Sequence, residues 1–350
     1  MPRKKSQSRP VPPLSSSAFE QGWSSVRTPQ VPPPTVSGRW VLAALGVAVV
    51  GAAACAWLTL CLLFWQGSWQ LLYHPAATIA RTPASVGVAF DAVGFAATEA
   101  GEPRLKGWWI PAADGARYGR YTVLYLHGQN GNLGDAVDAL AALHAVGVNI
   151  LSFDYRGYGQ SEFAHPSERR WREDAEWALA YLTTTRHVPA ASIILDGSGL
   201  GANLALEVAA AHPELAGVVV DEPIDDPADA IFRDARAKWV PAHLLFKDSF
   251  DERAASLSLL MPSLWFLPAS PHTRGNASEY PEALQATSSR SMVGWIDSSH
   301  PEDKDLLWRW LDDLPRHPDN SSNPPRELRG IADQRLPTHR GMSRWTTLTW

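Results

Sequence analysis

The segment from Gly197 to Gly201 has the residue types and spacing closest to those of nucleophilic catalysis. It reads GSGLG and lies between an apolar run and a helical pattern, which is the setting of a nucleophile elbow, Gly-x-Ser-x-Gly. The residues two before and two after the centre of this strained turn must be small, because their Cβ atoms would collide across it. Gly197 and Gly201 meet that requirement. The sequence therefore predicts Gly199 at the centre, where a nucleophilic side chain would be needed.

Ser198 is the alternative nucleophile of this segment. With Ser198 at the centre, Asp196 and Leu200 would take the two tight positions, and both are too large. With Gly199 at the centre, the Ser198 side chain points roughly away from the nucleophile direction. We interpret Ser198 as a polar loop residue, and its use as an unconventional nucleophile stays open as the second interpretation.

The elements that must position this segment follow from an alternation of short apolar runs and helical patterns between Leu71 and Leu314. Apolar runs without polar alternation predict strands buried on both faces, and strands that alternate with helices predict a doubly wound parallel sheet. The predicted strands are Thr122–Leu126, Asn149–Tyr155, Ser192–Leu195, Gly217–Val220, Ser263–Leu267 and Met292–Ile296. The predicted helices are Gly134–Ala145, Glu168–Thr184, Ala202–His212 and Pro301–Leu311. The functional crevice of such a sheet lies beyond the carboxyl ends of its strands.

A run of residues without a charge extends from Trp40 to Trp65. A helix needs about 20 residues to cross a hydrocarbon core of about 30 Å, so this run is long enough to span a bilayer with some tilt. A secretory signal peptide is the alternative, but it has a shorter apolar region and ends at a small-residue cleavage site. This run ends on Leu62-Leu63-Phe64-Trp65. We therefore expect an uncleaved transmembrane helix that has the lipid bilayer as its partner.

The basic residues before the apolar run predict its orientation. Residues 1–39 carry Arg3, Lys4, Lys5, Arg9, Arg27 and Arg39 against a single Glu20, and the next Lys or Arg after the run is Arg81. By the positive-inside rule, the N-terminus is cytoplasmic and the folded domain lies on the other side of the cell membrane, as a single-pass protein. The predicted organisation is a disordered tail (1–39), a transmembrane helix (40–65), an α/β domain (69–315) with a possible small cap (225–260), and a flexible tail (316–350).

Composition excludes several classes of protein. The net charge of −5 is unlike that of a nucleic-acid-binding domain, so no nucleic-acid partner is expected. Cys55 and Cys61 both lie inside the apolar run and can form neither a disulfide framework nor a zinc site in the folded domain. No metal site and no cofactor are predicted. The expected ligand is an unidentified small molecule or protein.

Several segments resemble, in their order along the chain, the motifs of the α/β-hydrolase superfamily. Tyr125–Asn132, YLHGQNGN, is similar to the His-Gly oxyanion loop, and Phe153–Glu162, FDYRGYGQSE, resembles the Asp-Tyr-Arg-Gly-x-Gly-x-Ser turn. Ile193–Glu214 occupies the strand, elbow and helix, and Ile296–Leu311 resembles the His-bearing loop and closing helix. Trp69–Pro75, WQLLYHP, resembles the entry segment of the membrane-anchored branch that is similar to serine aminopeptidases and depalmitoylases. The resemblance covers residues 69–313 and implies an α/β-hydrolase fold.

The resemblance also implies where the reacting groups belong. The family pattern Gly-x-Ser-Leu-Gly-Gly-Ala aligns without gaps on residues 197–203 and puts its serine at Gly199. His272 stands where the family has its catalytic aspartate. His300 is in the position of the general base, with a loop histidine before a helix as the alternative. The backbone N–H groups of Gln129 and Leu200 correspond to the oxyanion donors.

Two further carboxylates lie near the place where other members of the superfamily supply the acid. These are Asp225 and Asp226, for which helix capping ahead of Ala228–Arg236 is the alternative. His127 and Asp154 are expected to brace loops and not to react.

Three functions remain open from the sequence. Loss of a triad serine costs on the order of 10⁶ in rate, so the first hypothesis is a catalytically impaired pseudohydrolase that binds a ligand or partner. The second is an active hydrolase of ester, thioester or amide bonds with an unconventional nucleophile. The third is an interaction protein whose crevice is filled by Trp239, Trp265 and Trp295.

Overall fold

The structure is a computed structural model that describes residues 37–268, 291–296 and 305–315. The chain divides into two compact units, residues 1–60 and residues 61–350. Helix α1, Gly38–Gly67, contains the predicted apolar run and is the one helix in the described part of the chain that is long and apolar enough to cross a membrane. Most of the N-terminal tail and all of the C-terminal tail from residue 316 lie outside the described residues.

An eight-stranded, mostly parallel sheet organises the second unit, as the apolar runs predicted. The strands are β1 His74–Pro75, β2 Asp91–Ala97, β3 Pro103–Ile110, β4 Thr122–Leu126, β5 Asn130–Gly131, β6 Asn149–Asp154, β7 Ile193–Ser198, β8 Gly217–Asp221, β9 Ser263–Pro268 and β10 Ser291–Ile296. Their order in the sheet is β10-β9-β8-β7-β4-β6-β3-β2, and β1 pairs only with β5. β3 runs antiparallel to β2 and β6, whereas the other neighbours in the sheet are parallel.

Four of these strands were not predicted from the sequence, namely β1, β2, β3 and β5. β1 and β5 have two residues each, and neither β2 nor β3 is a continuous apolar run. β2 is an edge strand with mostly exposed or half-buried side chains, and β3 carries Arg104 and Lys106 among its apolar residues. β7 is also longer than predicted, because its pairing with β4 and β8 continues through Asp196, Gly197 and Ser198.

Four of the described helices that follow α1 lie where the helical patterns predicted them, with shifted ends, and three short ones lie in the predicted cap segment. They are α2 Val137–Val146, α3 Glu168–Ala180, α4 Leu200–Ala211, α5 Asp229–Phe232, α6 Ala242–Leu245, α7 Glu252–Leu257 and α8 Leu306–Asp313. α2 begins later than predicted because Asn132 and Asp135 form a capping box that starts a 3₁₀ turn over Leu133–Ala136. The three short helices α5, α6 and α7 lie between β8 and β9, in the segment predicted as a small cap. We call residues 222–262 the excursion.

The apolar core lies on both faces of the sheet. Side chains alternate along each strand, so Leu124, Leu195 and Val220 join the cluster on one face, and Val123, Ile194 and Val219 join the cluster on the other. α4 packs in the first cluster, and α2 and α8 pack in the second. This buried sheet holds the carboxyl ends of β4, β7 and β8 together, and the predicted site lies at those ends.

Candidate active site

Gly199 connects the end of β7 to the beginning of α4 in a tight turn. Its backbone has φ +56° and ψ −124°, a conformation that costs a residue with a side chain on the order of 1–3 kcal/mol. The turn is held from both sides, because the Gly199 N–H donates to the Asp221 carbonyl (2.9 Å) and the Gly199 carbonyl accepts from the Ala202 N–H (3.0 Å). A strained connection from strand to helix is the local form of a nucleophile elbow.

The two flanking glycines leave no room for a side chain. A Cβ on Gly197 would collide with the carbonyl oxygen of Gly201, and a Cβ on Gly201 would collide with the carbonyl oxygen of Leu126. A Cβ on Gly199 would instead lie 3.2 Å from the side-chain oxygen of Gln129. The crowding at Gly197 and Gly201 agrees with a turn in which Gly199 is the central residue. At Gly199 itself, the atom nearest to an added Cβ belongs to the movable side chain of Gln129.

The Gln129 side chain lies across the turn and contacts the predicted oxyanion donor. Its Oε1 atom accepts a hydrogen bond from the Leu200 N–H (3.2 Å). The backbone of Gln129 is held as well, since its carbonyl accepts from the His74 N–H (2.9 Å) and the Tyr158 hydroxyl (2.9 Å). One of the two predicted donors therefore already has an acceptor within the chain. The sequence predicted a role for the backbone N–H of Gln129 alone, and this contact of its side chain was not predicted.

His127 and Asp154 lie buried beneath the oxyanion loop. The Nδ1 atom of His127 is 2.8 Å from the Gly128 carbonyl oxygen, and its Nε2 atom is 3.7 Å from Asp154 Oδ1. Asp154 Oδ1 accepts from the Leu133 N–H (2.8 Å). Burial lowers the pKa of His127 to about 4, and burial raises the pKa of Asp154 to about 7 against the backbone hydrogen bonds that lower it. The imidazole is neutral at physiological pH, and these contacts brace the loop that carries Gln129.

Ser198 ends β7 and belongs to a polar group that we call the Asp221 cluster, in which Tyr125 and Asp196 are buried and Ser198 and Asp221 are half-buried. In the sheet Ser198 pairs with Asp221, and Asp196 pairs with Tyr125. Hydrogen bonding with Ser198 lowers the pKa of Tyr125 and Asp221, but burial is the larger effect on both. The pKa of Asp221 is raised to about 6, and burial holds that of Asp196 well above its usual range. A hydroxyl next to a carboxylate is a polar pair capable of proton transfer.

The structure shows the contacts of the two predicted substitute acids. Asp226 Oδ1 accepts from the Asp229 N–H (3.1 Å) at the start of α5, in keeping with the capping alternative. Asp225 is exposed, and its pKa is raised first by its partial desolvation and then by the neighbouring Asp226. The carboxylate that contacts Ser198 is instead Asp221. The signal for Asp221 in the sequence is an acidic residue directly after the apolar run Gly217–Val220.

The structure describes only some of the remaining predicted positions. His272 and His300 lie outside the described residues, so their roles stay predictions. Trp265 is fully buried in the core and Trp239 is 73% exposed. The side chain of Trp295 lies outside the described residues, so a crevice filled by these tryptophans stays a prediction. Within the described ranges, no group of three or more His, Cys, Asp or Glu residues could hold a metal ion.

Comparison with known proteins identifies the family. The model of the α/β hydrolase fold family matches residues 121–312, more than half of the chain. The chain therefore belongs to the α/β-hydrolase fold family. An uncharacterised protein of Mycobacterium tuberculosis (strain CDC 1551) is 32% identical over 213 residues, which is 60% of this chain and 72% of that protein. The α/β hydrolase domain-containing protein 17C of Xenopus tropicalis is 35% identical over 121 residues, 34% of this chain and 38% of that protein.

Solved structures show the same fold at low identity. An esterase of Pyrococcus furiosus superposes with a TM-score of 0.54 at 17% identity, covering 69% of this chain and 98% of its own. An α/β hydrolase of Vibrio vulnificus gives a TM-score of 0.50 at 20% identity, covering 65% of this chain and 81% of its own. At such identities the likeness concerns the fold alone.

Proposed function

We propose that this protein is a membrane-tethered pseudohydrolase, in which an α/β-hydrolase domain binds a small-molecule or protein ligand without turning it over. The observation that carries the proposal is Gly199 at the centre of the strand-to-helix turn, with φ +56° and no side chain to attack a carbonyl. Removing a triad serine typically costs on the order of 10⁶ in rate. Such a site keeps its capacity to bind a ligand and its backbone N–H donors.

The state of those donors supports the same proposal. In an active site of this class, backbone N–H groups must be free to bind the oxyanion that develops in the transition state. Here Gln129 Oε1 accepts the Leu200 N–H. An incoming carbonyl oxygen must displace this amide before it can use that donor.

The tether is proposed from α1 and from the charges before it. α1 carries an apolar segment with a hydropathy typical of membrane spans. By the positive-inside rule, the basic tail supports a cytoplasmic N-terminus and a hydrolase domain on the opposite side of the cell membrane. The WQLLYHP segment, which follows α1, supports assignment to the membrane-anchored, depalmitoylase-like branch of the superfamily.

The proposal is tested by restoring the missing groups in the full chain, purified in a mild detergent. Wild type should hydrolyse p-nitrophenyl acetate at the buffer rate, and Gly199→Ser combined with His272→Asp should exceed it. Gly199→Ala combined with His272→Asp is the matched control, since it adds the same Cβ without the hydroxyl. Wild-type turnover that disappears in Ser198→Ala would contradict the proposal.

A second candidate function is an active hydrolase of ester, thioester or amide bonds. The observation that favours it is the Ser198 hydroxyl beside the Asp221 carboxylate, whose pKa is raised to about 6. A carboxylate with that pKa is ionised at neutral pH and accepts a proton more readily than an ordinary aspartate. For this function Asp221→Asn should lower turnover as much as Ser198→Ala does.

A further inference from the structure

An open groove lies beside the carboxyl end of α1, among residues 62–69, 165–170 and 244–248. Its volume is about 970 Å³. Leu62 and Trp65 of α1 line it and are more than half exposed, and Leu244 of the excursion lines it with 74% of its surface exposed. Large apolar side chains grouped at one exposed place mark an interaction site more often than apolar residues scattered singly.

The same groove contains cationic side chains. Arg170 of α3 and Lys247 of the excursion both line it. Arg170 is fixed in part, because its Nη1 atom donates to the His165 carbonyl (2.8 Å). Asp248 also lines the groove, and its Oδ2 atom accepts a hydrogen bond from the Tyr73 hydroxyl (2.7 Å). The lining thus combines an apolar surface with two cations against one carboxylate that already has a hydrogen-bond partner.

The position of the groove along the chain indicates where its ligand comes from. Leu62 and Trp65 are among the last residues of the uncharged run, and a tryptophan at the end of a membrane span sits at the level of the lipid headgroups. Chain connectivity therefore places the groove within about two helical turns of the bilayer interface. This step rests on the proposed membrane anchoring of α1.

We propose that the groove binds an anionic phospholipid of the membrane in which α1 is anchored. The acyl chain lies against Leu62, Trp65 and Leu244. The phosphate lies at Arg170 and Lys247. Such a lipid supplies both an apolar chain and a negative headgroup, and basic pockets next to membrane helices bind anionic headgroups by the same chemistry.

Native mass spectrometry of the full chain in dodecyl maltoside tests the proposal, with dioleoyl phosphatidylglycerol or dioleoyl phosphatidylcholine added. One phosphatidylglycerol should stay bound at collision energies that remove phosphatidylcholine. Each basic residue contributes roughly five-fold to the affinity for anionic lipid, so Arg170→Ala with Lys247→Ala should weaken phosphatidylglycerol binding at least ten-fold. The matched control, Arg169→Ala with Lys238→Ala, removes the same charge from exposed side chains outside the groove lining.

A second pair of variants tests the apolar surface independently of the charges. Leu244→Asp should lose phosphatidylglycerol at the collision energies that wild type withstands, whereas Leu257→Asp, at a similarly exposed leucine outside the groove lining, should keep it. Equal retention of the two lipids by wild type, or equal losses in the groove variants and their controls, would overturn the proposal. Flotation of the full chain with vesicles separates the proposed lipid-binding groove from the proposed membrane anchoring of α1. A chain that floats without retaining phosphatidylglycerol refutes the groove alone, and a chain that does not float refutes the anchor as well.

Discussion

A glycine in place of the expected nucleophile changes the neighbourhood of the turn as well as its chemistry. Without a side chain at Gly199, the Gln129 amide can lie over the turn and accept the Leu200 N–H. A Cβ at Gly199 would be 3.2 Å from that amide oxygen, closer than most such contacts, so a serine there requires Gln129 to move. The absence of a side chain at Gly199 and the occupied Leu200 donor are therefore linked in this structure.

This linkage predicts how Gln129→Ala behaves. Alone it should give no ester turnover, because no nucleophile is added. In a chain that already carries Gly199→Ser and His272→Asp, it should raise kcat/KM for p-nitrophenyl acetate about ten-fold, since freeing one oxyanion donor is worth on the order of 10²–10³ in rate at most. Gln160→Ala is the control, at a glutamine that does not contact the turn. An unchanged or lower kcat/KM on adding Gln129→Ala would show that the amide does not obstruct the donor.

The individual residues of the site were predictable to different degrees. The steric demand on Gly197 and Gly201 follows from the form of the turn, so their spacing alone predicted which residue is central. The contact between Gln129 and Leu200 depends on a side-chain conformation between residues 71 positions apart, which no local pattern encodes. Asp221 was missed for a related reason, because its partner Ser198 becomes its neighbour only through the pairing of β7 with β8.

At the scale of elements, the oxyanion loop is held by groups at the ends of β4 and β6. Asp154 closes β6 and accepts the Leu133 N–H at the first turn before α2. Burial raises its pKa to about 7 from a usual 3.8. Between about pH 4 and pH 7, the folded chain therefore keeps a proton on Asp154 that the unfolded chain releases. By linkage, the free energy of unfolding falls as the pH rises through that interval.

Asp154→Asn should remove this pH dependence. Between pH 5 and pH 8, wild type should lose on the order of 2–3 kcal/mol relative to the variant, which is several degrees in Tm for a domain of this size. Melting curves of both proteins followed by tryptophan fluorescence at pH 5 and pH 8 measure the difference. Asp91→Asn, at an exposed position in β2, is the control. A difference in Tm between wild type and Asp154→Asn that stays constant with pH would contradict the assignment.

The elements also show which parts of a fold a sequence pattern encodes. β4, β6, β7, β8, β9 and β10 each contain a continuous apolar run, and all six were predicted. β2 is an edge strand and β3 is its neighbour in the sheet, and exposed residues interrupt the apolar pattern of both. The excursion contains helices of four to six residues, whose form depends on tertiary packing more than on helical periodicity.

At the scale of the whole molecule, the basic tail predicts a chain with its two ends on opposite sides of the membrane. Ser17→Cys and Asp114→Cys, each in a chain with Cys55→Ser and Cys61→Ala, report on the tail and on the domain. A membrane-impermeant maleimide added to intact cells should label Asp114→Cys and leave Ser17→Cys unlabelled until lysis. Labelling of Ser17→Cys alone would reverse the topology. Protection of both sites until lysis would place the domain in the cytoplasm.

The central claim is that the active-site turn of this α/β-hydrolase-fold protein has no nucleophile. A fluorophosphonate probe, which reacts covalently with activated serines, tests it most directly on the full chain in detergent. Ser198→Ala and His300→Ala are the specificity controls, and Gly199→Ser with His272→Asp is the chain expected to react. Our account predicts no labelling of folded wild type. Labelling of wild type that is lost in both Ser198→Ala and His300→Ala would contradict it and identify the protein as a serine hydrolase.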